Sequence, residues 1–235
     1  MIRWLARPDQ FPPPDTALRE PNGLLAAGGG LSPQWLLAAY RQGIFPWYMP
    51  GEPVLWWSPD PRMVLFPQEL HVGRSLAKIM RNRAYTIRFD TAFREVILAC
   101  AAPRPDAMGT WISSEVLEGY CALHQQGYAH SIETWIDGEL AGGLYGVALG
   151  GVFYGESMFA RRPDASKMAF AYLVPWLQQQ GFALIDCQMR THHLARFGGR
   201  EIPRNEFVER LTQLVAKPRT PGLWHHEWVN CGSST

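Results

Sequence analysis

The spacing of apolar and polar residues predicts three helices in the first half of the chain. The stretch "SPQWLLAAYRQ" has Ser32 as its N-cap and Pro33 in its first turn, and Gly43 stands just past its end. The stretch "TAFREVILACA" follows Asp90, which we expect to cap a second helix. Ser113 is the predicted cap of a third helix over "SEVLEGYCALHQQ", in which apolar residues recur at helical spacing.

The pattern then changes from helical spacing to the alternation that is typical of strands. "HSIETWI" alternates, and "ELAGGLYGV" and "GVFYGESMF" follow as further apolar stretches. Between the first two stretches stand Asp137 and Gly138, which a tight hairpin turn prefers. These stretches predict a three-stranded antiparallel meander.

Helix and strand alternate after the meander. A helix is predicted over residues 165–179, with Asp164 as its cap and with Pro175 causing a kink or an early stop. "FALIDCQ" predicts an apolar strand that is buried on both faces. Two short helices are expected near 192–197 and 204–215.

This order of elements indicates an α+β fold with two domains. Helix, helix, three antiparallel strands, helix, strand and helix is the order of the GCN5-related acyltransferase fold, a likeness that concerns the fold alone. We expect such a GNAT-like domain over residues 63–235, with a mainly antiparallel sheet flanked by helices. Residues 1–62 are expected to form a small N-terminal α/β domain, because the composition changes near Arg62.

The segment that ends the first domain is rich in aromatic residues and proline. "GIFPWYMPGEPVLWWSPDPR" contains five of each, and so many prolines rule out a long helix or a central strand. Two interpretations stay open at this point. The rings either fill the core or form a surface on which a flat ligand stacks.

Composition narrows the class of protein. Hydrophobic residues make up 47% of the 235 residues, and a formal net charge of +1 gives no overall attraction to nucleic acid or membrane. No stretch has the length and apolarity of a membrane span or a signal peptide, so no membrane partner is expected. The four cysteines lie far apart without a Cys-x-x-Cys pair, which is typical of a reduced, cytoplasmic protein.

Polar residues inside apolar strands are the first candidates for chemistry. Asp186 and Gln188 lie two positions apart on a predicted strand, so we expect their side chains on one face. Glu156, in the third strand of the meander, converges with Asp186 if the two strands are neighbours. The alternatives are a structural hydrogen-bond pair at Asp186 and Gln188, and an ion pair of Glu156 with Arg161 or Arg162.

The loop after the meander is a candidate phosphate site. Arg161 and Arg162 precede a predicted helix N-terminus, where backbone N–H groups are free. Pro163 and Asp164 stand where acetyltransferases have a glycine-rich turn for the pyrophosphate of coenzyme A. Coenzyme A binding is therefore disfavoured, and an ordinary capped helix with solvated arginines remains open.

A second basic feature lies nearer the middle of the chain. Residues 70–89 contain five basic and no acidic side chains, and Arg74, Lys78 and Arg81 share one helical face, called the basic face below. Two interpretations of the basic face stay open: its side chains contact nucleic-acid phosphate, or they are simply solvated. Four of the seven histidines form two adjacent pairs, His192-His193 and His225-His226, without a second ligand set at metal spacing, so no metal site is expected.

Together with these patterns, several uncommon short motifs resemble those of one bacterial family, the leucyl/phenylalanyl-tRNA–protein transferases. The resemblance runs through nearly the whole chain, in "REPNGLLAAGG", "GIFPWY", "LWWSPDPR", "GTWIS", "GYAHSIETW", "GGLYGV", "GESMF", "ASK", "LIDCQ" and "EIPR". It implies transfer of leucine or phenylalanine, and less readily methionine, from aminoacyl-tRNA to the N-terminal arginine or lysine of a protein. The added residue marks that protein for degradation, and the resemblance implies neither a cofactor nor a metal.

The resemblance also implies two binding regions. Tyr40, Trp47 and Trp111 match aromatic residues that frame the site of the 3′ adenosine, so the aromatic segment is expected to provide stacking surface. A second set matches the apolar pocket for the leucyl or phenylalanyl side chain: Leu144, Phe153, Phe170, Leu173, Leu177 and Ile185.

Three polar residues match the family's reaction site. Asp186 and Gln188 match the pair assigned to the catalytic step, and Glu156 matches an acid that lines the site. We expect Asp186 to hold and help deprotonate the acceptor ammonium, Gln188 to align it, and Glu156 to orient the substrate. The basic face gains a role as a phosphate contact for tRNA, and the enzyme is expected to act as a monomer.

Two functions from other classes remain as alternatives. A small-molecule N-acetyltransferase would share the fold, but the missing glycine turn argues against it. A non-catalytic RNA-binding protein would use the aromatic residues and the basic face, yet it gives no reason for Glu156, Asp186 and Gln188.

Overall fold

The computed structural model describes residues 2–102 and 110–232. In this part of the chain, a first sheet contains β1 (Arg3–Leu5), β2 (Leu24–Gly28), β3 (Phe45–Pro46) and β4 (Leu55–Trp57). The spatial order is β1-β2-β4-β3, with β1 parallel to β2 and the other neighbours antiparallel. Helix α1 (Pro33–Tyr40) connects β2 to β3, so the N-terminal part has the mixed α and β content that was expected.

A larger sheet follows from residue 62 onward. Its strands in the described residues are β5 (Arg62–Leu65), β6 (Ala84–Phe89), β7 (Ala129–Ile136), β8 (Glu139–Leu149), β9 (Val152–Ala160), β10 (Leu184–Gln188), β11 (Arg200–Ile202) and β12 (Glu227–Cys231). Their order is β11-β5-β10-β9-β8-β7-β6-β12, and only the β9–β10 pair is parallel. The α+β class, the mainly antiparallel sheet and the meander β7–β9 are confirmed.

Helices cover both faces of this sheet. They are α2 (Arg74–Asn82), α3 (Phe93–Ala101), α4 (Ser114–Gln125), α5 (Ala165–Gln179), α6 (His192–Arg196) and α7 (Arg204–Val215). Tyr145 and Tyr154 face a core shared with α3, α4 and the N-terminal sheet, whereas the adjacent Leu144 and Phe153 face a core around α5. The alternation of strand side chains thus places two apolar cores on opposite faces.

The predicted side-chain caps of α3 and α5 are wrong. The backbone N–H groups of Thr91 and Ala92, just before α3, donate to Glu133 at 3.1 Å, while Asp90 accepts from the backbone of Ser131 at 2.9 Å. Asp164 has a left-handed backbone (φ 65°) and makes no side-chain cap on α5. In both places a tertiary or ion-pair partner holds the carboxylate more effectively than the local backbone.

Other helix predictions agree better with the structure. Ser113 caps α4 as predicted, by accepting from the N–H of Val116 at 3.3 Å. Helix α1 begins at Pro33 as predicted, but Ser32 at its N-cap position makes no side-chain cap hydrogen bond. Pro175 does not stop α5, which continues to Gln179. None of the helices in the described ranges has the length and apolar character that a membrane span requires.

The aromatic segment is mainly core. Phe45, Tyr48 and Trp56 are buried, and Trp56 packs edge-on against Phe11 at 4.8 Å between ring centroids. The expectation that this whole segment offers a stacking surface is therefore wrong for these three rings. They are buried in the core of the N-terminal part and are not accessible to a ligand. Trp47 differs, since 41% of it is exposed.

Candidate active site

A cavity of about 370 Å³ opens beside the adjoining strands β8, β9 and β10. Among the residues that the structure describes, its apolar wall consists of Leu144, Phe153, Met158, Phe170, Ile185, Met189 and Leu194, and Tyr145 also lines it. Glu156, Ser157, Cys187, Gln188, Thr191 and His193 add polar or polarisable groups. The cavity is thus an apolar pocket with a polar end.

Two β-bulges produce the polar end. In the β8–β9 ladder Tyr145 pairs with Ser157 and Gly146 with Gly155, so Glu156 is the extra residue of a bulge. A second register shift lies between Asp186 and Gln188 in β10. Bulges redirect side chains that regular alternation would place elsewhere, and they occur often next to active sites.

Glu156 lies at the centre of a hydrogen-bond chain. Its Oε2 accepts from the Tyr120 hydroxyl at 3.0 Å, and its Oε1 accepts from Gln188 Nε2 at 3.1 Å. The hydroxyls of Tyr120 and Tyr40 lie 2.5 Å apart and extend the chain. Burial raises the pKa of Glu156, the hydrogen bonds from Tyr40, Tyr120 and Gln188 lower it, and the nearby charge of Asp186 raises it, with a net result of about 7.

The alternative ion pair for Glu156 is not formed. Arg161 donates to the backbone oxygen of Leu140, and Arg162 pairs with Glu139 at 3.4 Å. Both arginines lie away from the carboxylate, which leaves Glu156 to the hydrogen-bond chain of the cavity.

Asp186 forms a buried, bidentate ion pair. Arg62 Nε donates to Oδ1 at 2.8 Å and Nη2 donates to Oδ2 at 2.6 Å, and the backbone N–H of Gln188 also reaches Oδ1, at 2.9 Å. The guanidinium lies between the rings of Phe45 and Phe207, 4.8 and 4.6 Å from their centroids. Both carboxylate oxygens of Asp186 thus accept hydrogen bonds from donors of this chain.

The predicted common face of Asp186 and Gln188 is wrong. Gln188 has φ 63°, in the left-handed region, and the bulge shifts it relative to Asp186. As a result Cys187 and Gln188 line the cavity, whereas Asp186 is fully buried and is absent from the lining residues that the structure describes. The predicted proximity of Glu156 to this strand is found, through its bond to Gln188.

The expected side-chain pocket divides into two groups. Leu144, Phe153, Phe170 and Ile185 line the cavity, but Leu173 and Leu177 are fully buried in the core around α5 and are absent from its described lining. The sequence interpretation missed Met158 and Leu194, which carry no polar or spacing signal that separates them from ordinary core residues.

The three expected adenosine contacts have different surroundings. Tyr40 is buried in the hydrogen-bond chain, whereas Trp47 is 41% exposed and Trp111 is half-buried. A 3.4 Å contact between the hydroxyls of Tyr48 and Ser113 joins the loops that carry the two tryptophans. The motif "GTWIS" begins at residue 109, and this first residue lies outside the part of the chain that the structure describes.

The basic face is exposed as the sequence pattern predicted. Arg74, Lys78 and Arg81 all lie on the solvent side of α2, whose Leu76 and Ile79 pack into the core around α5. Exposure alone does not distinguish a phosphate contact from a solvated surface.

Two residues of the site, Tyr120 and Arg62, were not identified from the sequence. Tyr120 has the spacing of an ordinary core residue on α4, and Arg62 is separated from its partner Asp186 by 124 positions. The one indication of a role for Arg62 in the sequence was its place as the last residue of the uncommon motif "LWWSPDPR". Only the folded structure identifies Asp186 as the partner of Arg62.

Comparison with known proteins gives the family. The model described as leucyl/phenylalanyl-tRNA protein transferase matches residues 64–212, and that of its N-terminal domain matches residues 29–60. A solved structure described as a GCN5-related N-acetyltransferase from Kribbella flavida aligns with 72% of this chain and 60% of its own. Its TM-score of 0.37 and identity of 17% are too low to carry an argument.

Curated relatives cover nearly the whole chain. Proteins named leucyl/phenylalanyl-tRNA–protein transferase are 59% identical in Nitrosomonas europaea, over 100% of this chain and 99% of the relative. Those of Laribacter hongkongensis (58%, covering 98% of each chain) and Nitrosospira multiformis (62%, covering 97% and 100%) are as similar. The chain belongs to the leucyl/phenylalanyl-tRNA–protein transferase family.

Proposed function

We propose that this chain is an aminoacyltransferase that moves leucine or phenylalanine, and less readily methionine, from aminoacyl-tRNA to the N-terminal arginine or lysine of a protein. The single observation that carries the proposal is the apolar cavity that ends at Glu156 and Gln188, in a chain of this family. The product is a peptide bond that marks the acceptor for degradation. Charged tRNA occurs in the cytoplasm, where we propose that the enzyme acts as a monomer.

The apolar wall is the proposed pocket for the transferred side chain. Leu144, Phe153, Phe170 and Ile185 present aliphatic and aromatic surface to the same space. A leucyl or phenylalanyl side chain buried there gains about 1.5 to 3 kcal/mol from leaving water. A charged side chain would find no partner among these four residues.

Glu156 is the proposed proton acceptor. With a pKa of about 7 it is partly ionised at neutral pH, and it takes a proton from the acceptor's α-ammonium. The neutral amine then attacks the ester carbonyl carbon, so that the C–N bond forms and the bond from carbon to the ribose oxygen breaks. The ribose oxygen receives a proton, which Glu156 can return, and the second proton that the attacking nitrogen loses as the amide forms is released to solvent.

Asp186 is proposed to act through its neighbours. Its carboxylate is held by Arg62 and accepts the backbone N–H of Gln188, which supports the left-handed conformation at Gln188. That conformation directs the Gln188 amide to Glu156. We therefore assign Asp186 a positioning role in place of the base role inferred from the sequence.

Binding of the donor RNA is proposed at two surfaces. Trp47 and Trp111 would stack on the terminal bases, and the basic face of α2 would contact backbone phosphate. Trp47, Arg74 and Lys78 are exposed, so their side chains are accessible to such a donor.

The test is transfer of labelled leucine from Leu-tRNA to two peptides that differ in one group, a free or an acetylated N-terminal arginine. Label on the free peptide alone is the expected result. Label on neither peptide, with tRNA still bound, would contradict the proposal and favour an RNA-binding protein without this chemistry. Coenzyme A binding in calorimetry would instead favour an N-acetyltransferase, and light scattering of the same sample tests the monomer.

A further inference from the structure

A second cavity, of about 320 Å³, lies between the beginnings of α2 and α5 and the short helix α6. We name it the α2–α6 cavity. Its polar lining in the described residues is formed by His71, Ser75, Asp164, Lys167, His193 and Arg196. His193 also lines the cavity of the reaction site, so the two spaces adjoin.

The α2–α6 cavity has an excess of positive charge. Asp164 is the one carboxylate among its described lining residues, and it already accepts from Lys167 Nζ at 2.6 Å. Arg196 has no hydrogen-bond or ion-pair partner among the residues that the structure describes. A guanidinium, two imidazoles and a hydroxyl thus remain available to an added group.

His193 indicates how closely these cations converge. Burial lowers the pKa of its imidazole, and the charges of Lys167 and Arg196 lower it further. Its Nε2 is buried and lacks a hydrogen-bond partner within the described chain. An anion in the cavity would offset both the repulsion and the missing hydrogen bond.

We propose that the α2–α6 cavity binds a backbone phosphate of the donor RNA, with Arg196 as its main ion-pair partner. The inference rests on the proposed function, because it takes the donor to be a tRNA. Arg74 and Lys78 continue the positive charge from the cavity along the solvent side of α2. A polyanion that follows this helix would meet the cavity at its end, whereas a lone small anion has no reason to use the basic face.

The test compares Arg196→Gln with the matched variant Arg94→Gln. Arg94 is an exposed arginine that pairs with Glu118 and lies outside both cavities. Dissociation constants for tRNA would be measured from low to high salt. We expect Arg196→Gln to weaken binding by about three- to tenfold near 0.1 M salt and to lower the salt slope by about one, with Arg94→Gln close to wild type.

A second arm separates the source of the phosphate. Arg196→Gln should raise KM more for aminoacyl-tRNA than for an aminoacyl-adenosine, which has no upstream phosphate. Equal salt slopes for the two variants, or equal KM changes on both donors, would overturn the inference. So would inorganic phosphate that shifts the His193 resonance in NMR without competing with tRNA, since the cavity would then bind free anions.

This experiment also separates the inference from the proposed function. If wild type binds tRNA with an Arg196-dependent slope but transfers no amino acid, the transferase proposal fails and the phosphate site stands. If transfer proceeds and the slope does not depend on Arg196, the phosphate site fails alone.

Discussion

Glu156 is a single carboxyl group in competing surroundings. Burial favours its neutral form, while hydroxyl and amide donors favour its charged form, and together they bring its pKa to about 7. Asp186, by comparison, is held by a permanent cation, and each of its oxygens has a close donor. Glu156 can therefore exchange a proton near neutral pH.

Replacing Glu156 should remove the pH dependence of transfer. We expect wild-type kcat to rise with pH through about 7, as Glu156 ionises. Glu156→Gln should lower kcat by about 100-fold or more and abolish this rise, with the Kd for tRNA unchanged. Single-turnover rates from pH 5.5 to 8.5 provide the measurement, and a Glu156→Gln profile that retains the same rise would assign the proton to another group.

Stability should change with pH through the same residue. The folded-state pKa lies above the usual 4.5, so the folded protein binds more protons than the unfolded chain between pH 4.5 and about 7. Glu156 therefore contributes stability below pH 4.5 that is lost as pH rises toward 7, by at most about 1.4 kcal/mol per pH unit. Urea unfolding should show this loss in wild type and in the control Glu139→Gln, an exposed site, but not in Glu156→Gln.

Helix α5 has two apolar positions with different surroundings. Phe170 lines the reaction cavity, whereas Leu173 lies in the core. Phe170→Leu should raise the preference for phenylalanine over leucine, in kcat/KM, by roughly tenfold because the pocket becomes larger. Leu173→Ala should lower the free energy of unfolding by about 2 to 5 kcal/mol without changing that preference. A changed preference in Leu173→Ala would return this residue to the pocket.

Helix α2 should contribute to tRNA binding through charge alone. Changing Arg74, Lys78 and Arg81 together to Gln should lower the salt slope of tRNA binding by roughly two to three. The control changes three exposed, ion-paired arginines to Gln, with the same change in net charge: Arg7, Arg94 and Arg162. Equal slopes in the two triple variants would show that the basic face is a solvated surface.

Local signals predicted the elements better than the site. Ser113 and the turn at Asp137 act within a few residues, so the sequence was sufficient for α4 and the meander. The backbone N–H groups just before α3 donate to Glu133, 42 positions beyond Thr91, and no local pattern indicates such a partner. The bulge at Gln188 likewise depends on pairing with β5, so the alternation rule placed Asp186 on the wrong face.

At the scale of the whole molecule, Arg62 joins the N-terminal part to the reaction site. It stands at the beginning of β5, its guanidinium lies between Phe45 of β3 and Phe207 of α7, and it binds Asp186 of β10. Four separate elements therefore meet at one buried cation. The N-terminal sheet and the polar end of the cavity should be coupled through this ion pair.

The buried pair offers a way to separate stability from positioning. Arg62→Met alone leaves the Asp186 charge unpaired and should cost about 3 to 5 kcal/mol of stability. Arg62→Met with Asp186→Leu replaces both charges by apolar groups, which is often neutral for stability. If the pair only stabilises the fold, the double variant should recover kcat along with its melting temperature.

If the pair positions Gln188, the recovery should be partial. The double variant should melt near wild type yet transfer at least tenfold more slowly at saturating tRNA, because Gln188 loses the acceptor of its backbone N–H. Its pH profile should also move to lower pH, since the charge of Asp186 that raises the pKa of Glu156 is gone. Calorimetry and single-turnover rates on the same samples distinguish the two roles, and full recovery of kcat with an unshifted profile would leave Asp186 a purely structural residue.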